Sequence, residues 1–243
     1  MDRQQYEIEA QIEASHWWFV GRRRLFRKII NELKPTPSWR ILDVGTSTGT
    51  NLRLLKDMGF SDAKGVDLNQ EAIKFCAEKG LGEVQLGDIK NLPFDTETFD
   101  LVLATDILEH VDDDLRALRE LERVMASGGK LLITVPAFTS LWGHNDNMSH
   151  HKRRYVARQI LAHIEKTGLL VCRRFYFNFL LFLPIWAVRQ IIRHFVSNAK
   201  PENEMTSPIF NKILTLVFSF DIMIAPHIHP PFGVSYLVVC EKK

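Results

Sequence analysis

The run Ile41-Leu42-Asp43-Val44-Gly45-Thr46-Ser47-Thr48-Gly49-Thr50-Asn51 decides the fold. A short apolar strand delivers a carboxylate and then a turn of small residues. That is the arrangement required where backbone must approach a ligand closely before a helix begins. Glycine turns also serve simply to pack a strand against the next helix, so the segment alone leaves both readings open.

Working outward, Arg40–Val44 is the first expected strand, followed by a helix through Leu55. Further strands are expected at Ala63–Leu68, Glu83–Leu86, Phe99–Ala104, Lys130–Val135 (stopped by Pro136), Leu169–Phe177 and Ser235–Glu241. Helical patterns separate them at Gln70–Lys79, from Asp112–Asp114 to about Met125, and at Val156–Thr167. Short strands alternating with helices imply an α/β fold: a mostly parallel seven-stranded sheet with helices on both faces. The pattern from Tyr6 to Leu33 reads as one helix ended by Pro35 and Pro37. The expected division is a helical cap over residues 1–38, a core over 39–179, an apolar helical insertion over 180–230, and the last strand within 231–243.

Composition sets outer bounds. The 243 residues, 46% hydrophobic and 25% charged, suit one large α/β domain. A formal net charge of +2 gives no basic body for nucleic acid. Cys76, Cys172 and Cys240 lie far apart without metal-ligand spacing, which predicts three separate buried thiols in a reducing compartment. No apolar leader stands at the N-terminus, so a cytoplasmic protein is expected.

Ligands of a parallel sheet gather at the carboxyl ends of its strands, so Asp43, Asp67, Asp88 and Asp106 are expected to line one crevice. Asp67 closes the second strand, where a carboxylate can accept hydrogen bonds from both hydroxyls of a ribose. A dinucleotide would need its pyrophosphate on a helix N-terminus. A sulfonium cation with an amino-acid tail instead favours a carboxylate such as Asp43 beside a backbone-lined pocket.

The linked set Ile41–Gly49, Gly65-Val66-Asp67, Gly87-Asp88-Ile89 with Leu92-Pro93-Phe94, Phe99-Asp100 and Ala104–His110 resembles the class I S-adenosylmethionine-dependent methyltransferases. The nearest flavour is the type 11-like group that includes the ubiquinone and menaquinone methyltransferases, and the likeness covers roughly Arg40 to Val135. It implies the Rossmann-like class I methyltransferase fold, with S-adenosylmethionine as cofactor and S-adenosylhomocysteine as product. By that resemblance Asp43, Gly45, Thr46, Gly49 and Asn51 belong to the methionine-side loop, and Asp67 holds the ribose. Leu68 packs on adenine, Asp88 and Ile89 line its far edge, and Thr105 and Asp106 lie near the sulfonium. Ser47 departs from the pattern, because the group usually has glycine there and serine has poorer access to positive φ. Some relatives of this fold keep the cofactor yet catalyse cyclisation. An S-adenosylmethionine-binding cyclase or decarboxylase, or a non-catalytic binding protein, therefore stand as alternatives.

Two segments carry acceptor-side candidates. One is His16-Trp17-Trp18-Phe19 with Arg22 and Arg23; the other runs from Trp142 to Tyr155 and contains His144, Asp146, His151, Arg153 and Arg154. The second follows the fifth strand and is expected to hang over the carboxyl edge. Methyl transfer to a hydroxyl needs a held acceptor and a group that takes its proton. Histidine suits that task, so His151 or His144, oriented by Asp146, is the expected catalytic set. His16, Trp17, Trp18, Arg22, Arg23, Trp142, Arg153, Arg154 and Tyr155 are the expected substrate-binding groups, each with a plain structural reading as loop anchors or solvated charge. His150 and His151 point apart on a regular strand and no pair has convincing helical spacing, so no metal is expected. No Asn-Pro-Pro-aromatic run follows the fourth strand, which argues against amino-methylation of nucleic acid.

The insertion completes the picture. From Ile185 a helix sets Val188, Ile191, Ile192 and Phe195 against Arg189, Gln190, Arg193 and His194, and Ile209–Ala225 forms a second apolar helix. An apolar face with a basic rim fits an interfacial helix, so the expected acceptor is a small molecule or lipid-linked, met at the inner face of the membrane. A lid or a homodimer surface would bury the same faces.

Overall fold

The computed structural model describes residues 3–195 and 207–243. Seven strands form one sheet: β1 (Ile41–Val44), β2 (Lys64–Asp67), β3 (Glu83–Leu86), β4 (Phe99–Thr105), β5 (Met125–Pro136), β6 (Leu170–Phe177) and β7 (Ser235–Glu241). Their spatial order is β3-β2-β1-β4-β5-β7-β6, parallel from β3 to β5, with β7 antiparallel to both β5 and β6. The chain order reverses between β1 and β4, and this is where the carboxyl ends open a crevice.

The described helices are α1 (Arg3–Ile12), α2 (Trp17–Glu32), α3 (Thr50–Asp57), α4 (Gln70–Glu78), α5 (Asp114–Val124), α6 (His144–Met148), α7 (Ala157–Glu165), α8 (Phe182–Phe195) and α9 (Pro208–Ile228). Strand side chains alternate between two cores. Leu42, Val102, Leu131 and Val238 face Leu118, Leu121 and Ile160 of α5 and α7. Ile41, Leu101, Leu132 and Val239 face Leu25, Leu54 and Phe218 of α2, α3 and α9. This period-2 division is why the central strands β1 and β4 read as largely apolar runs, whereas edge strand β3 is exposed or half-buried throughout.

The structure corrects four expectations. The single N-terminal helix is two, because His16 caps α2, its ring accepting the Trp18 N–H at 3.4 Å. The Arg23 guanidinium binds the carbonyls of Glu13 and Ala14 just beyond α1 and so closes the break. The α2 helix packs into the sheet's second core. Strand β5 begins at Met125, five residues earlier than expected, because Gly128 takes φ +74° and the ladder shifts register instead of ending. Cys172 is exposed on edge strand β6, while Cys76 and Cys240 are buried.

The fourth correction concerns α8. Its polar side faces the protein: Arg189 is buried with its guanidinium on the Leu141 carbonyl, Gln190 binds the Ser140 carbonyl at 2.9 Å, and Arg193 binds that of Trp142 at 2.6 Å. These arginines are not a rim around an apolar face, because the loop after β5 presents unpaired carbonyls that guanidinium groups satisfy. Leu183, Trp186, Val188 and Ile191 are left outward. Ile192 is half-buried, and the side chains of His194 and Phe195 lie outside the described residues.

Helix α9 is long and apolar enough to cross a membrane, yet one side of it is built into the fold. Phe218 stacks on Trp18 (5.5 Å between centroids, 8° between planes), and Asp221 accepts the N–H groups of Asn178 (2.6 Å) and Leu180 (2.9 Å). Gly21 makes this fit: a Cβ there would stand 2.1 Å from the Phe218 ring.

Candidate active site at the carboxyl edge

The turn after β1 is fixed by its own backbone. Gly45 (φ +75°) donates to the Val66 carbonyl at 2.8 Å, and Gly49 (φ +86°) opens α3 and donates to Thr46 at 2.9 Å. A Cβ on Gly45 would meet Ile107 at 2.8 Å, so two loops approach closely here. Ser47 does take the left-handed conformation (φ +50°) that serine disfavours. It is held there by its N–H on Asp67 Oδ2 (2.9 Å) and its hydroxyl on Glu9 (3.0 Å). The turn therefore keeps its shape without a middle glycine.

Asp43 is wholly buried. Its Oδ1 accepts from Asn51 at 2.9 Å, the same amide donates to Thr105 at 3.0 Å, and its Oδ2 has no hydrogen-bond partner. Burial pushes its carboxyl up to about 7. Asp67 ends β2 with one N–H on each oxygen, from Ser47 and from Asn69 (2.9 Å). Leu68 beside it is 71% exposed, an apolar surface facing no protein, and Ile89 is buried. Asp88 turns the chain after β3, accepting the Lys90 N–H at 2.9 Å. Asp106 follows β4 at φ +52°, pairs with Arg22 at 2.6 Å, and leaves its buried Oδ1 without a partner. Asp43, Asp67, Asp88 and Asp106 thus sit at successive carboxyl ends, as expected.

The N-terminal helices contribute more than the sequence suggested. Glu13 binds the hydroxyls of Thr48 and Thr50 and the Lys79 ammonium (2.6 Å), which lays the end of α1 across the turn. Arg22 reaches Asp106 from α2 and lies over the rings of Trp18 and Phe26. Trp17 and Trp18 pack against Phe218, and His16 is buried with burial pulling its ring down to about 4. Glu9, Glu13 and Lys79 carry no local motif; only the tertiary approach of α1 gathers them.

The loop after β5 returns to the edge. Tyr155 bridges to Ala137, and the Lys152 N–H reaches the Glu109 carbonyl at 2.8 Å. Asp146 is the loop's hub. It accepts two parallel bonds from Arg154 (2.8 and 2.9 Å), the Gly143 N–H (2.7 Å) and His151 Nδ1 (2.8 Å). These donors hold its carboxyl well below the usual range despite burial. The structure thus joins Asp146 to His151 as expected, while His144 opens α6 beside them and Asp146 is committed elsewhere. Arg154 and Tyr155 are buried, Tyr155 on Asp114 at 2.8 Å, Arg153 lies on the Asp112 carbonyl and Asp114, and Trp142 donates to Asn147.

One grouping was missed. Glu109 and His110, in the 3₁₀ turn after β4, meet His151: the two imidazole rings stand 4.7 Å apart, edge to face. Burial and the nearby Asp106 charge push the Glu109 carboxyl well up, while burial pulls His110 down to about 4. The Glu-His pair was visible in the run Asp106–His110, but its partner lies 41 residues on.

Comparison with known proteins agrees with this geometry. A family described as "Methyltransferase domain" matches residues 42–133. Norajmaline N-methyltransferase of Rauvolfia serpentina is 35% identical over 125 residues, covering 48% of this chain and 42% of that enzyme. Demethylmenaquinone methyltransferase of Thermotoga maritima is 35% identical over 109 residues, 44% of this chain and 46% of that enzyme. The chain thus spans less than half the length of either relative. A SAM-dependent methyltransferase from Archaeoglobus fulgidus superposes with a TM-score of 0.57 at 23% identity, covering 90% of this chain and 94% of that one, a likeness of fold. Residues 42–133 thus form a methyltransferase-like domain, related broadly to several small-molecule methyltransferases.

Proposed function

We propose that the protein transfers the methyl group of S-adenosylmethionine to a small-molecule acceptor at the carboxyl edge of the sheet. The observation that carries this reading is the pair Asp43 and Asp67 flanking the glycine turn. Asp43 Oδ2 is buried without a partner, which suits an ammonium group, and Asp67 has one lone pair left on each oxygen for the two ribose hydroxyls. The cofactor supplies an electrophilic methyl on a sulfonium. Around it, Leu68 offers an apolar surface to adenine, Asp43 takes the amino group, and Thr105 and Asp106 border the methyl. Glu109, His110 and His151, with Asp146 behind, form the acceptor side, where they orient the nucleophile and favour its deprotonation. Calorimetric titration with S-adenosylhomocysteine tests the reading. Saturable micromolar binding is expected, and no binding at millimolar ligand would leave only a fold likeness. A cyclase or decarboxylase would bind it as well, but would release no S-adenosylhomocysteine with any acceptor.

The acceptor is proposed to be apolar over part of its length and met at a membrane surface from the cytoplasmic side. Supporting this, the outward faces of α8 and α9 expose Leu183, Trp186 and Ile191, and Ile209, Leu216 and Phe220, the apolar side chains an interfacial helix presents to lipid. Flotation with anionic liposomes checks it, comparing the protein with Trp186→Glu and Leu216→Glu. Loss of flotation in the variants is expected. Protein that stays with the soluble fraction, or a dimer that covers these faces, would reject the membrane contact.

A further inference from the structure

Glu109, His110 and His151 need more explanation than acceptor contact alone. Their ligand atoms (a carboxylate oxygen and two imidazole nitrogens) lie within 4.8 Å of one another. Spacing inside the loop after β5 offers no ligand pair, but the fold sets His151 against the turn after β4. Glu109 is wholly buried and neither carboxylate oxygen has a hydrogen-bond partner. Such a group is costly unless something pairs with it, and buried carboxylates are paired or bind metal. Its Oε1 stands 3.9 Å from His151 Nε2, too long for a hydrogen bond and wider than the roughly 3.3 Å between two donors on one tetrahedral ion, so the two groups would draw in by about half an ångström around a bound cation.

A second, independent observation lies behind His151. Its Nδ1 is 2.8 Å from Asp146 Oδ1, and Asp146 is held by Arg154 and the Gly143 N–H. An ionised carboxylate only accepts, so Nδ1 carries the proton and Nε2 presents its lone pair toward Glu109. A carboxylate that orients an imidazole in this way is the usual support of a metal-ligating histidine.

We propose that Glu109, His110 and His151 bind one divalent transition-metal cation, with Asp146 as the positioning residue of His151, and that a hydroxyl oxygen of the acceptor completes its shell. Two imidazoles and one carboxylate suit Mn²⁺, Co²⁺ or Zn²⁺ better than Mg²⁺ or Ca²⁺, which prefer oxygen donors. Three protein donors leave positions open, and Asp106 stands three residues from Glu109 on the same edge. The role given to the acceptor rests on the methyl-transfer reading; the metal site does not. On the cation the hydroxyl loses its proton to water near neutral pH. The oxygen keeps the electron pair and forms the bond to the methyl carbon, while the carbon–sulfur bond breaks and sulfur takes its pair. His151 is then a ligand and not the base, since Nε2 has one lone pair.

The test is a Co²⁺ titration of the whole chain after removal of metals by chelator, read by calorimetry and by visible absorption, with no methyl donor or acceptor. One equivalent is expected to bind, with at least tenfold weaker binding in Glu109→Gln and in His151→Asn and unchanged binding in the neighbouring, exposed His150→Asn. Mn²⁺ added to the unaltered protein is expected to broaden the NMR signals of the His110 and His151 rings before those of other histidines, which needs no variant to fold. Absence of saturable Co²⁺ binding below about 1 mM, or equal binding in all variants, overturns the site. S-adenosylhomocysteine affinity is measured on the same samples. Its retention where Co²⁺ is lost separates failure of the metal site from failure of the methyl-transfer reading.

Discussion

Asp67→Ala is the sharpest probe of the cofactor reading. The carboxylate carries one backbone N–H on each oxygen, from Ser47 and Asn69 at 2.9 Å, so each oxygen has one acceptor position left. Two ribose hydroxyls donating there would make hydrogen bonds to a charged group, each contributing about 1.5–3 kcal/mol. Losing even one weakens binding by roughly 10- to 150-fold. The two freed N–H groups lie at a half-exposed position and can turn to water, so the fold is expected to survive. Asp67→Asn keeps one acceptor and turns its amide toward one N–H donor, so its loss is expected to fall between wild type and alanine. Calorimetry with S-adenosylhomocysteine gives the dissociation constants, and circular dichroism with a thermal melt checks folding. A folded Asp67→Ala variant within about threefold of wild type would show that no ribose is held here, since one charged hydrogen bond exceeds that difference.

Further outcomes are expected. With the Asp43 carboxyl raised to about 7, S-adenosylhomocysteine binding strengthens as pH rises through about 7, where the carboxylate forms to meet the ammonium, and Asp43→Asn flattens that profile. Because the folded state holds this proton longer than the unfolded chain, Asp43 contributes a stability that falls as pH rises from about 4 to about 7 and is level above, and urea melts of Asp43→Asn should lack that slope. Phe218→Ala is expected to cost about 3–5 kcal/mol and Gly21→Ala about 1–3 kcal/mol, while the double variant costs less than their sum because the alanine methyl enters the space the ring left; additive losses would deny that α2 and α9 meet there. Arg154→Ala leaves the buried Asp146 carboxylate without its bidentate partner and is expected to cost about 3–5 kcal/mol, and a melt unchanged from wild type would refute the hub.

The sequence was most legible where local pattern and burial coincide. Strands β3 and β7 have the expected bounds, β1, β4 and β6 differ by one residue at one end and β2 by one residue at each end, because turn residues bound these short strands. Legibility failed where a distant group decides a local outcome. The helix break at His16 depends on Arg23 binding carbonyls beyond α1, and nothing between Tyr6 and Leu33 interrupts the apolar period. The arginines of α8 look like a solvated rim on a helical wheel; their inward turn is set by carbonyls of residues 140–142, which no sequence period records. The site divided in the same way. Asp43, Asp67, Asp88 and Asp106 were placed at the carboxyl edge because strand ends fix their position, and Asp146 beside His151 because they share a loop. Glu109 with His151 and Glu13 with Lys79 join separate loops and were not.

The distribution of unfavourable local features points to the same edge independently of motifs. Among the described residues, eight non-glycine residues have positive φ; Ser47, Asp106 and Phe138 follow β1, β4 and β5 at their carboxyl ends, whereas Lys34 and Glu97 stand before β1 and β4. Each left-handed residue costs on the order of 1 kcal/mol, and such strain persists where the surroundings over-determine it, most often at functional sites. Buried oxygens without a hydrogen-bond partner include Asp43 Oδ2, Asp106 Oδ1 and both of Glu109, again on β1, after β4 and in the turn beyond it. Burying an unpartnered polar group costs about 1–3 kcal/mol, so several together on one rim oppose folding by an amount comparable with a domain's whole stability. A scaffold selected for stability alone would fill these positions with apolar side chains of similar size. Their partners are therefore expected from outside the chain: an ammonium for Asp43 and a cation for Glu109. Binding either ligand should then raise the melting temperature, and Asp43→Asn or Glu109→Gln should stabilise the ligand-free protein while abolishing the matching ligand-induced rise. Variants that lower the ligand-free melting temperature instead would mean that these carboxyl groups serve the fold and not a ligand.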